Sequence, residues 1–259
     1  MYPKLISIGD FFLPTYGVLV ALGFLAGLWM TLRLARAKGL PAEEIGNLAV
    51  YCALAGLAGS KILMVLMNLK EYLAEPSRLF SKDTLLSAGV YYGGFLAALG
   101  FGYLYIRKKH LPILGTMDVM SPGVALGHAI GRLGCFAAGC CWGVACDRPW
   151  AVTFRNEDAS ALVGVPLGIP LHPTQIYESL LTFLVFFFLI RRATRPYKPG
   201  SQLGLYLVLY SAARFGVEFY RFHEQAPLLL GLSITQCIAI VLLAVGFWLL
   251  QRKSEAPAT

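Results

Sequence analysis

Residues 14–35 read PTYGVLVALGFLAGLWMTLRLA, and the first charged residue in this stretch is Arg33. A helix of about 20 apolar residues is long enough to cross the hydrocarbon core of a bilayer. Six further stretches of similar length and character follow along the chain, at residues 45–68, 88–106, 113–138, 173–190, 201–221 and 232–250. The sequence therefore predicts seven transmembrane helices.

The composition of the 259-residue chain favours the same fold class. Hydrophobic residues make up 57 % of the chain and charged residues 14 %, and the mean hydropathy is +0.64. Soluble domains carry about 25 % charged residues, so this composition argues against a cytosolic enzyme and excludes a disordered or collagen-like chain. The net charge of +8 is typical of cytoplasmic loops in membrane proteins, and we expect no nucleic-acid partner.

The distribution of Lys and Arg predicts the orientation. If the N-terminus lies in the periplasm, twelve basic residues fall on the cytoplasmic side and six on the periplasmic side, as the positive-inside rule requires. We expect an all-α polytopic membrane protein with a periplasmic N-terminus and a cytoplasmic C-terminus. The twelve are Arg33, Arg36, Lys38, Arg107, Lys108, Lys109, Arg191, Arg192, Arg195, Lys198, Arg252 and Lys253, and the six are Lys4, Lys70, Arg78, Lys82, Arg148 and Arg155.

The chain is predicted to form one transmembrane domain over residues 1–259. Its longest polar insert, residues 144–172, lies between the fourth and fifth predicted helices and predicts a small periplasmic cap. Within the insert, Trp150–Phe154 has the composition of a short strand. We see no internal repeat, which argues against a secondary transporter.

Ionisable side chains inside the predicted spans indicate a functional site, because burying them in a bilayer is costly. Arg214, Glu218 and Arg221 are spaced by four and three residues, so a helix would place them on one face. Two interpretations follow. The three residues form a ladder that satisfies itself, or the surplus arginine charge binds an anion such as a phosphate.

The fourth predicted helix carries a second polar face. His128 precedes Arg132 by one turn, and Cys135 follows it by nearly one turn. Packing alone does not account for this combination, so we expect a functional role for Arg132. Small residues spaced by four predict close packing of the same helix against a neighbour: Gly123, Gly127 and Gly131.

Five short motifs occur in order along the chain. They are Thr15-Tyr16-Gly17, Tyr92-Gly93-Gly94, GRLGCFAAGCCWG at residues 131–143, HPTQIYE at residues 172–178 and RFGVEFYR at residues 214–221. Together they resemble the signature of the prolipoprotein diacylglyceryl transferase family. The motifs span nearly the whole chain and lie on a seven-span framework with the matching orientation.

The resemblance implies a specific reaction in the bacterial inner membrane, near the periplasmic leaflet. The family transfers the diacylglyceryl group of phosphatidylglycerol to the lipobox cysteine of a prolipoprotein signal peptide, forms a thioether and releases glycerol phosphate. The implied partners are phosphatidylglycerol, the signal peptide and membrane lipids, and no cofactor or metal is implied. The alternative is a phospholipid-binding or phospholipid-translocating relative that kept the phosphate site and lost the transfer.

The family match suggests roles for individual residues. Arg132 and Arg214 would hold the phosphate. Glu218 would orient Arg214, Arg221 would complete the ladder, and Tyr16 would line the headgroup pocket. The remaining predicted substrate-binding residues are Lys61, Gly93, Gly94, Cys135, Gly143, His172 and Glu178.

The chain departs from the family pattern at the expected base, where many members have His and this chain has Tyr92. A phenol with a pKa of about 10 is a weak base at pH 7. One hypothesis is that His128 takes over as base or headgroup ligand while Tyr92 donates a hydrogen bond. The other is that the protein supplies no strong base and that phosphate or water takes the proton.

Further departures concern cysteines. Cys135 and Cys140 stand where many members have Asn and Glu, and Lys61 stands where Arg is common. Four cysteines cluster in sequence at the outer end of the fourth predicted helix: Cys135, Cys140, Cys141 and Cys146. Three interpretations remain open: small buried polar replacements, one or more disulfides in an oxidising compartment, or a metal site whose spacing is unlike familiar zinc motifs.

Overall fold

The computed structural model describes residues 2–9, 11–81, 84, 89–222 and 231–252. Within these residues, seven helices of 18 residues or more occupy the seven predicted stretches. They are α1 (Thr15–Ala37), α2 (Ala42–Met67), α4 (Tyr91–Lys108), α5 (Ile113–Ala138), α7 (Thr174–Ala193), α8 (Ser201–Glu218) and α9 (Ile234–Gln251). The short elements are β1 (Lys4–Ile8), β2 (Phe11–Pro14), α3 (Leu69–Ala74), a 3₁₀ helix (Pro76–Phe80), β3 (Val152–Thr153), α6 (Glu157–Val163) and β4 (Pro170–Leu171).

Three of the helices in the described part of the chain, α1, α2 and α9, are long and apolar enough to cross a membrane. This is the architecture of a helical membrane protein. Helices α5 and α8 contain Arg132, Arg214 and Glu218, whose charges lower the mean hydropathy of these segments. Two residues of the orientation count, Lys82 and Lys253, lie outside the described residues.

The described residues divide into two compact units, Met1–Leu34 with Met117–Thr259, and Ala35–Thr116. In the first unit, α1 and α5 pack backbone against backbone. A Cβ atom at Gly27 would lie 2.5 Å from the carbonyl oxygen of Gly123, and one at Gly23 would lie 2.7 Å from that of Gly127. The predicted packing is thus confirmed for Gly123 and Gly127. It is wrong for Gly131, where a Cβ atom would meet nothing within 4 Å.

Asp118, on α5, is a buried carboxylate with a structural role. Its oxygens accept hydrogen bonds from the backbone N–H groups of Gly200 (2.6 Å) and Leu203 (2.8 Å), at the start of α8. A carboxylate at a helix N-terminus satisfies unpaired N–H groups and interacts favourably with the helix dipole. Asp118 therefore fixes the start of α8, the helix that carries Arg214.

The insert at residues 144–172 forms a small packed cap. Strands β3 and β4 pair in an antiparallel arrangement, and Asn156 caps α6 by accepting a hydrogen bond from the backbone of Ala159. Phe154, Ala159, Val165 and Leu171 form its buried core. The predicted strand at residues 150–154 is confirmed over Val152–Thr153.

Candidate functional site

Glu178 lies at the centre of a buried cluster of charged side chains from three helices of the first unit. Its Oε1 atom lies 2.9 Å from Nη2 of Arg132 and 3.2 Å from Nε2 of His128, both on α5. Its Oε2 atom lies 3.4 Å from Nη1 of Arg214, on α8. The Glu178 side chain is only 3 % exposed. Because an unpaired buried carboxylate is costly, the two guanidinium groups are what make its burial possible.

Arg214 binds a second carboxylate on its own helix. Its Nη2 atom lies 2.8 Å from Oε2 of Glu218, one turn later. The predicted pairing of these two residues on one helical face is therefore confirmed. The hydroxyl of Ser233 donates to Oε1 of Glu218 at 2.7 Å. Ser233 was missed as a site residue, although Ser233 and Gln236 form a capping box at the start of α9, which their spacing of three indicates.

Arg132 lies between the carboxylate and a thiol. Its Nε–H donates to Nε2 of His128 at 3.2 Å, and Nη1 lies 4.0 Å from Sγ of Cys135. The predicted face of His128, Arg132 and Cys135 is confirmed. The Arg132 side chain is 16 % exposed, against 9 % for Arg214. Arg132 is thus the more accessible of the two guanidinium groups.

The prediction that Arg221 continues the helical ladder is wrong. Helix α8 ends at Glu218, and the chain then turns so that Arg221 pairs with Gly143 in an isolated β-bridge. The Arg221 charge acts on the Cys141 thiol. Among the described residues, its buried Nε atom has no hydrogen-bond partner.

Gly143 joins the last three sequence motifs through its backbone. Its N–H donates to the carbonyl of His172 at 3.0 Å, and the next residue, Val144, donates to the carbonyl of Tyr220 at 3.0 Å. A Cβ atom at Gly143 would lie 2.6 Å from Cβ of His172 and 2.8 Å from its carbonyl oxygen. The position therefore requires glycine. The His172 ring in turn hydrogen-bonds the Tyr177 hydroxyl at 3.0 Å.

Three thiols lie together beside Arg132. The Sγ atoms of Cys135, Cys140 and Cys141 are all within 4.8 Å of one another. Each of the six cysteines of the chain is a free thiol, so the disulfide interpretation receives no support. Hydrogen bonds from the thiols of Cys135 and Cys140 lower the pKa of Cys141, and the positive charges of Arg221 and Arg132 lower it further.

Two buried side chains of α7 hold the backbone that carries these thiols. The amide of Gln175 donates to the carbonyl of Cys140 at 2.6 Å, and the hydroxyl of Thr174 donates to that of Cys141 at 2.8 Å. Both side chains are about 1 % exposed. The tight turn of the chain at this point places Cys141 in the left-handed backbone region, with φ of 63°.

Tyr16, on α1, belongs to the same site. Its ring would lie 3.3 Å from a Cβ atom at Gly134, so α1 and α5 are in close contact at this level. The phenol interacts electrostatically with Arg132 and with the three thiols. The role of Tyr16 in a headgroup pocket stays a prediction.

The second unit contains the other predicted site residues. Nζ of Lys61 donates to the carbonyl of Thr84 at 2.5 Å. Gly93 and Gly94 lie where α4 crosses α2, and a Cβ atom at Gly94 would lie 2.7 Å from the carbonyl oxygen of Gly56. The glycines therefore allow close helix packing, and Tyr92 is half exposed beside them. The substrate-binding roles of these residues stay predictions.

Comparison with known proteins supplies the family. A family model described as prolipoprotein diacylglyceryl transferase matches residues 3–252. A phosphatidylglycerol–prolipoprotein diacylglyceryl transferase of Clostridium tetani is 33 % identical over 96 % of this chain and 96 % of its own length. The enzyme of the same name from Methylobacillus flagellatus is 32 % identical over 96 % of this chain and 95 % of its own length. The chain belongs to the prolipoprotein diacylglyceryl transferase family.

Proposed function

We propose that this chain transfers the diacylglyceryl group of phosphatidylglycerol to the lipobox cysteine of a prolipoprotein, with Arg132 and Arg214 holding the lipid phosphate. Two relatives that this chain matches over nearly their whole length are named for this activity. The single observation that carries the site assignment is that both guanidinium groups, from different helices, meet at the carboxylate of Glu178.

The arrangement suits phosphate binding because a guanidinium presents several N–H donors in a fixed plane. Glu178 and Glu218 occupy only some of these donors and fix the orientation of the rest. Arg132 and Arg214 match the charges of Glu178 and Glu218 one for one, and the charge of Arg221, which acts on Cys141 as that of Arg132 does, is additional. The remaining positive charge favours an anionic headgroup.

The reaction needs charge stabilisation at the phosphate oxygen that leaves. The substrate thiolate attacks the glyceryl carbon next to the phosphate, a C–S bond forms, and the C–O bond breaks with its electron pair going to the phosphate oxygen. The products are the thioether and glycerol phosphate. Fixed donors that face this developing charge lower the barrier, and each is worth about 100-fold to 1000-fold in rate.

His128 acts in this site by positioning Arg132. Its Nε2 atom accepts the Arg132 Nε–H and lies 3.2 Å from the Glu178 carboxylate, so this nitrogen is already engaged. The packing of its ring against Tyr210 at 5.1 Å holds that orientation. The proton of the substrate thiol therefore requires another acceptor.

The membrane arrangement forms part of the proposal. The seven long helices α1, α2, α4, α5, α7, α8 and α9 span the bilayer as one transmembrane domain, with the N-terminus in the periplasm. The cap at residues 144–172 follows the C-terminal end of α5, close in sequence to Arg132 and Cys135. The site then lies near the periplasmic leaflet, where exported prolipoproteins arrive.

Two experiments test the function together. The gene should rescue a bacterial strain depleted of its own transferase. The purified protein should add the mass of one diacylglyceryl group to a lipobox peptide in phosphatidylglycerol vesicles. A peptide with Ser in place of the lipobox Cys is the matched control and should gain nothing. Failure of both rescue and mass gain would overturn the proposal.

A further inference from the structure

We propose that Cys135, Cys140 and Cys141 bind one Zn²⁺ ion, and that the open fourth position of this ion takes the cysteine sulfur of the protein substrate. The inference rests on the proposed function for the identity of that substrate. Binding of the metal itself can be measured without any transfer reaction.

The geometry of the three thiols is close to that of a zinc site. Their Sγ atoms lie within 4.8 Å of one another. Tetrahedral zinc with Zn–S bonds of about 2.3 Å places its sulfur ligands roughly 3.8 Å apart, so a contraction of less than about 1 Å assembles the site. The hydrogen bonds from Gln175 and Thr174 to the carbonyls of Cys140 and Cys141 hold the ligand-bearing turn in place.

The choice of metal follows from the ligands. Thiolates favour zinc and Cu(I) among the common metals. Catalytic zinc sites have three protein ligands and leave a fourth position for water or substrate. Cys146 is not part of this group of sulfur atoms, so the site presents three ligands, the number that leaves zinc one position free.

The surroundings compensate the charge of such a site. Zn²⁺ with three thiolates carries one net negative charge. Nη1 of Arg132 lies 4.0 Å from Sγ of Cys135, and the charge of Arg221 acts on Cys141. The site therefore adjoins the guanidinium that we assign to the lipid phosphate, which brings the substrate sulfur next to the carbon that it attacks.

Coordination of the substrate sulfur to zinc replaces a general base. The substrate thiol loses its proton to water when the sulfur binds zinc, because a coordinated thiol is deprotonated. The zinc-bound sulfur then attacks the glyceryl carbon, the C–O bond breaks, and its electron pair leaves with glycerol phosphate. The thioether is a weaker ligand and dissociates, so the three-cysteine site is regenerated without any change in oxidation state. This step accounts for a chain with Tyr92 at the position of the family base.

Metal content gives the first test. The full-length protein, purified in detergent with a histidine-free tag, should contain one zinc ion per chain by mass spectrometry. Cys135→Asn with Cys140→Glu introduces the residues that many family members have, and this double variant should lose at least nine-tenths of the zinc. Cys141→Ser should do the same. Cys52→Ser with Cys237→Ser is the matched control and should keep the full amount.

Three results would overturn the zinc site. One is a wild-type protein that holds no zinc after loading and dialysis. A second is a count of fewer than six free thiols in the unfolded, metal-free protein, which would reveal a disulfide. The third is retention of zinc by both the double variant and Cys141→Ser, which would refute these ligands.

Cobalt provides a test of the open position. In the Co²⁺-substituted protein without phosphatidylglycerol, a lipobox peptide should intensify the sulfur-to-metal charge-transfer absorption, and the Ser peptide should not. Identical spectra with both peptides would refute the role of the fourth position.

Transfer kinetics separate this inference from the proposed function. A free thiol with a pKa of about 8.5 is only about 3 % thiolate at pH 7. Removal of zinc should therefore slow transfer about 30-fold at pH 7, and Zn²⁺ but not Mg²⁺ should restore the rate. A zinc-free protein at full rate would refute the inference and leave the transferase intact. Zinc-loaded protein that binds the peptide and transfers nothing would refute the function and leave the metal site standing.

Discussion

Arg132 and Glu178 form an ion pair at the centre of the site, with 2.9 Å between Nη2 of the arginine and Oε1 of the carboxylate. The pair links α5 to α7, and the other oxygen of the carboxylate faces Arg214 on α8. Because Glu178 is almost fully buried, its charge depends on these guanidinium groups. The same contacts that stabilise the fold at this point thus orient the groups assigned to the lipid phosphate.

Glu178→Gln should cost both stability and activity. The change leaves two buried guanidinium groups with one carboxylate fewer, and breaking a buried ion pair in this way costs about 3–5 kcal/mol. We expect a lower thermal unfolding temperature in detergent and no detectable transfer. Glu71→Gln removes an exposed carboxylate that pairs with Arg78 and should change neither quantity. A stable and active Glu178→Gln protein would contradict the assigned role.

Arg132→Lys tests whether the shape of the guanidinium matters as well as its charge. Lysine keeps one positive charge and loses the planar set of donors. We expect transfer to fall about 100-fold or more, with little change in folding. Arg78→Lys, at an exposed residue, is the control. Equal rates for Arg132→Lys and the wild type would show that the phosphate contact lies elsewhere.

His128→Ala distinguishes a positioning residue from a general base. As a positioning residue, His128 holds Arg132 through Nε2, so its loss should lower the rate about tenfold and leave the shape of the pH–rate profile unchanged. Loss of a general base costs about 100-fold to 10,000-fold. A loss of that size, together with the disappearance of the acidic limb of the profile, would establish His128 as the base.

Gly143→Ala should destabilise the site through its backbone. The added Cβ atom would collide with the backbone of His172 and Tyr220, and such overpacking costs about 1–3 kcal/mol. Gly216→Ala is the matched control, because a Cβ atom there meets nothing within 4 Å and alanine is the better helix former. Thermal unfolding of the two variants decides the point. Equal unfolding temperatures for Gly143→Ala and Gly216→Ala would contradict the close backbone contact at Gly143.

Much of this arrangement was predictable from local sequence. Apolar stretches long enough to cross a bilayer gave the positions of the seven long helices, and the spacing of four residues gave the pairing of Arg214 with Glu218. The same helical geometry predicted that His128 and Arg132 lie on one face of their helix. These predictions succeed because the contacts lie within single helices.

The predictions that failed depend on contacts between distant segments. Arg221 leaves the helix because its backbone pairs with Gly143, and nothing in the spacing of 214–221 indicates that partner. The position of Glu178 between Arg132 and Arg214 depends on the meeting of three helices, which the spacing within one helix does not indicate. The antiparallel pairing of β1 with β2 was missed as well.

The central claim is that paired guanidinium groups hold an anionic glycerolipid so that a protein thiol can displace its phosphate. Mass spectrometry of a lipobox peptide incubated with the wild-type protein in phosphatidylglycerol vesicles tests it most directly. We expect the mass gain of one diacylglyceryl group on the cysteine, at a rate that is about 100-fold or more lower with Arg132→Lys under the same conditions. Phosphatidylglycerol binding by the wild-type protein with no mass gain on the peptide would contradict it.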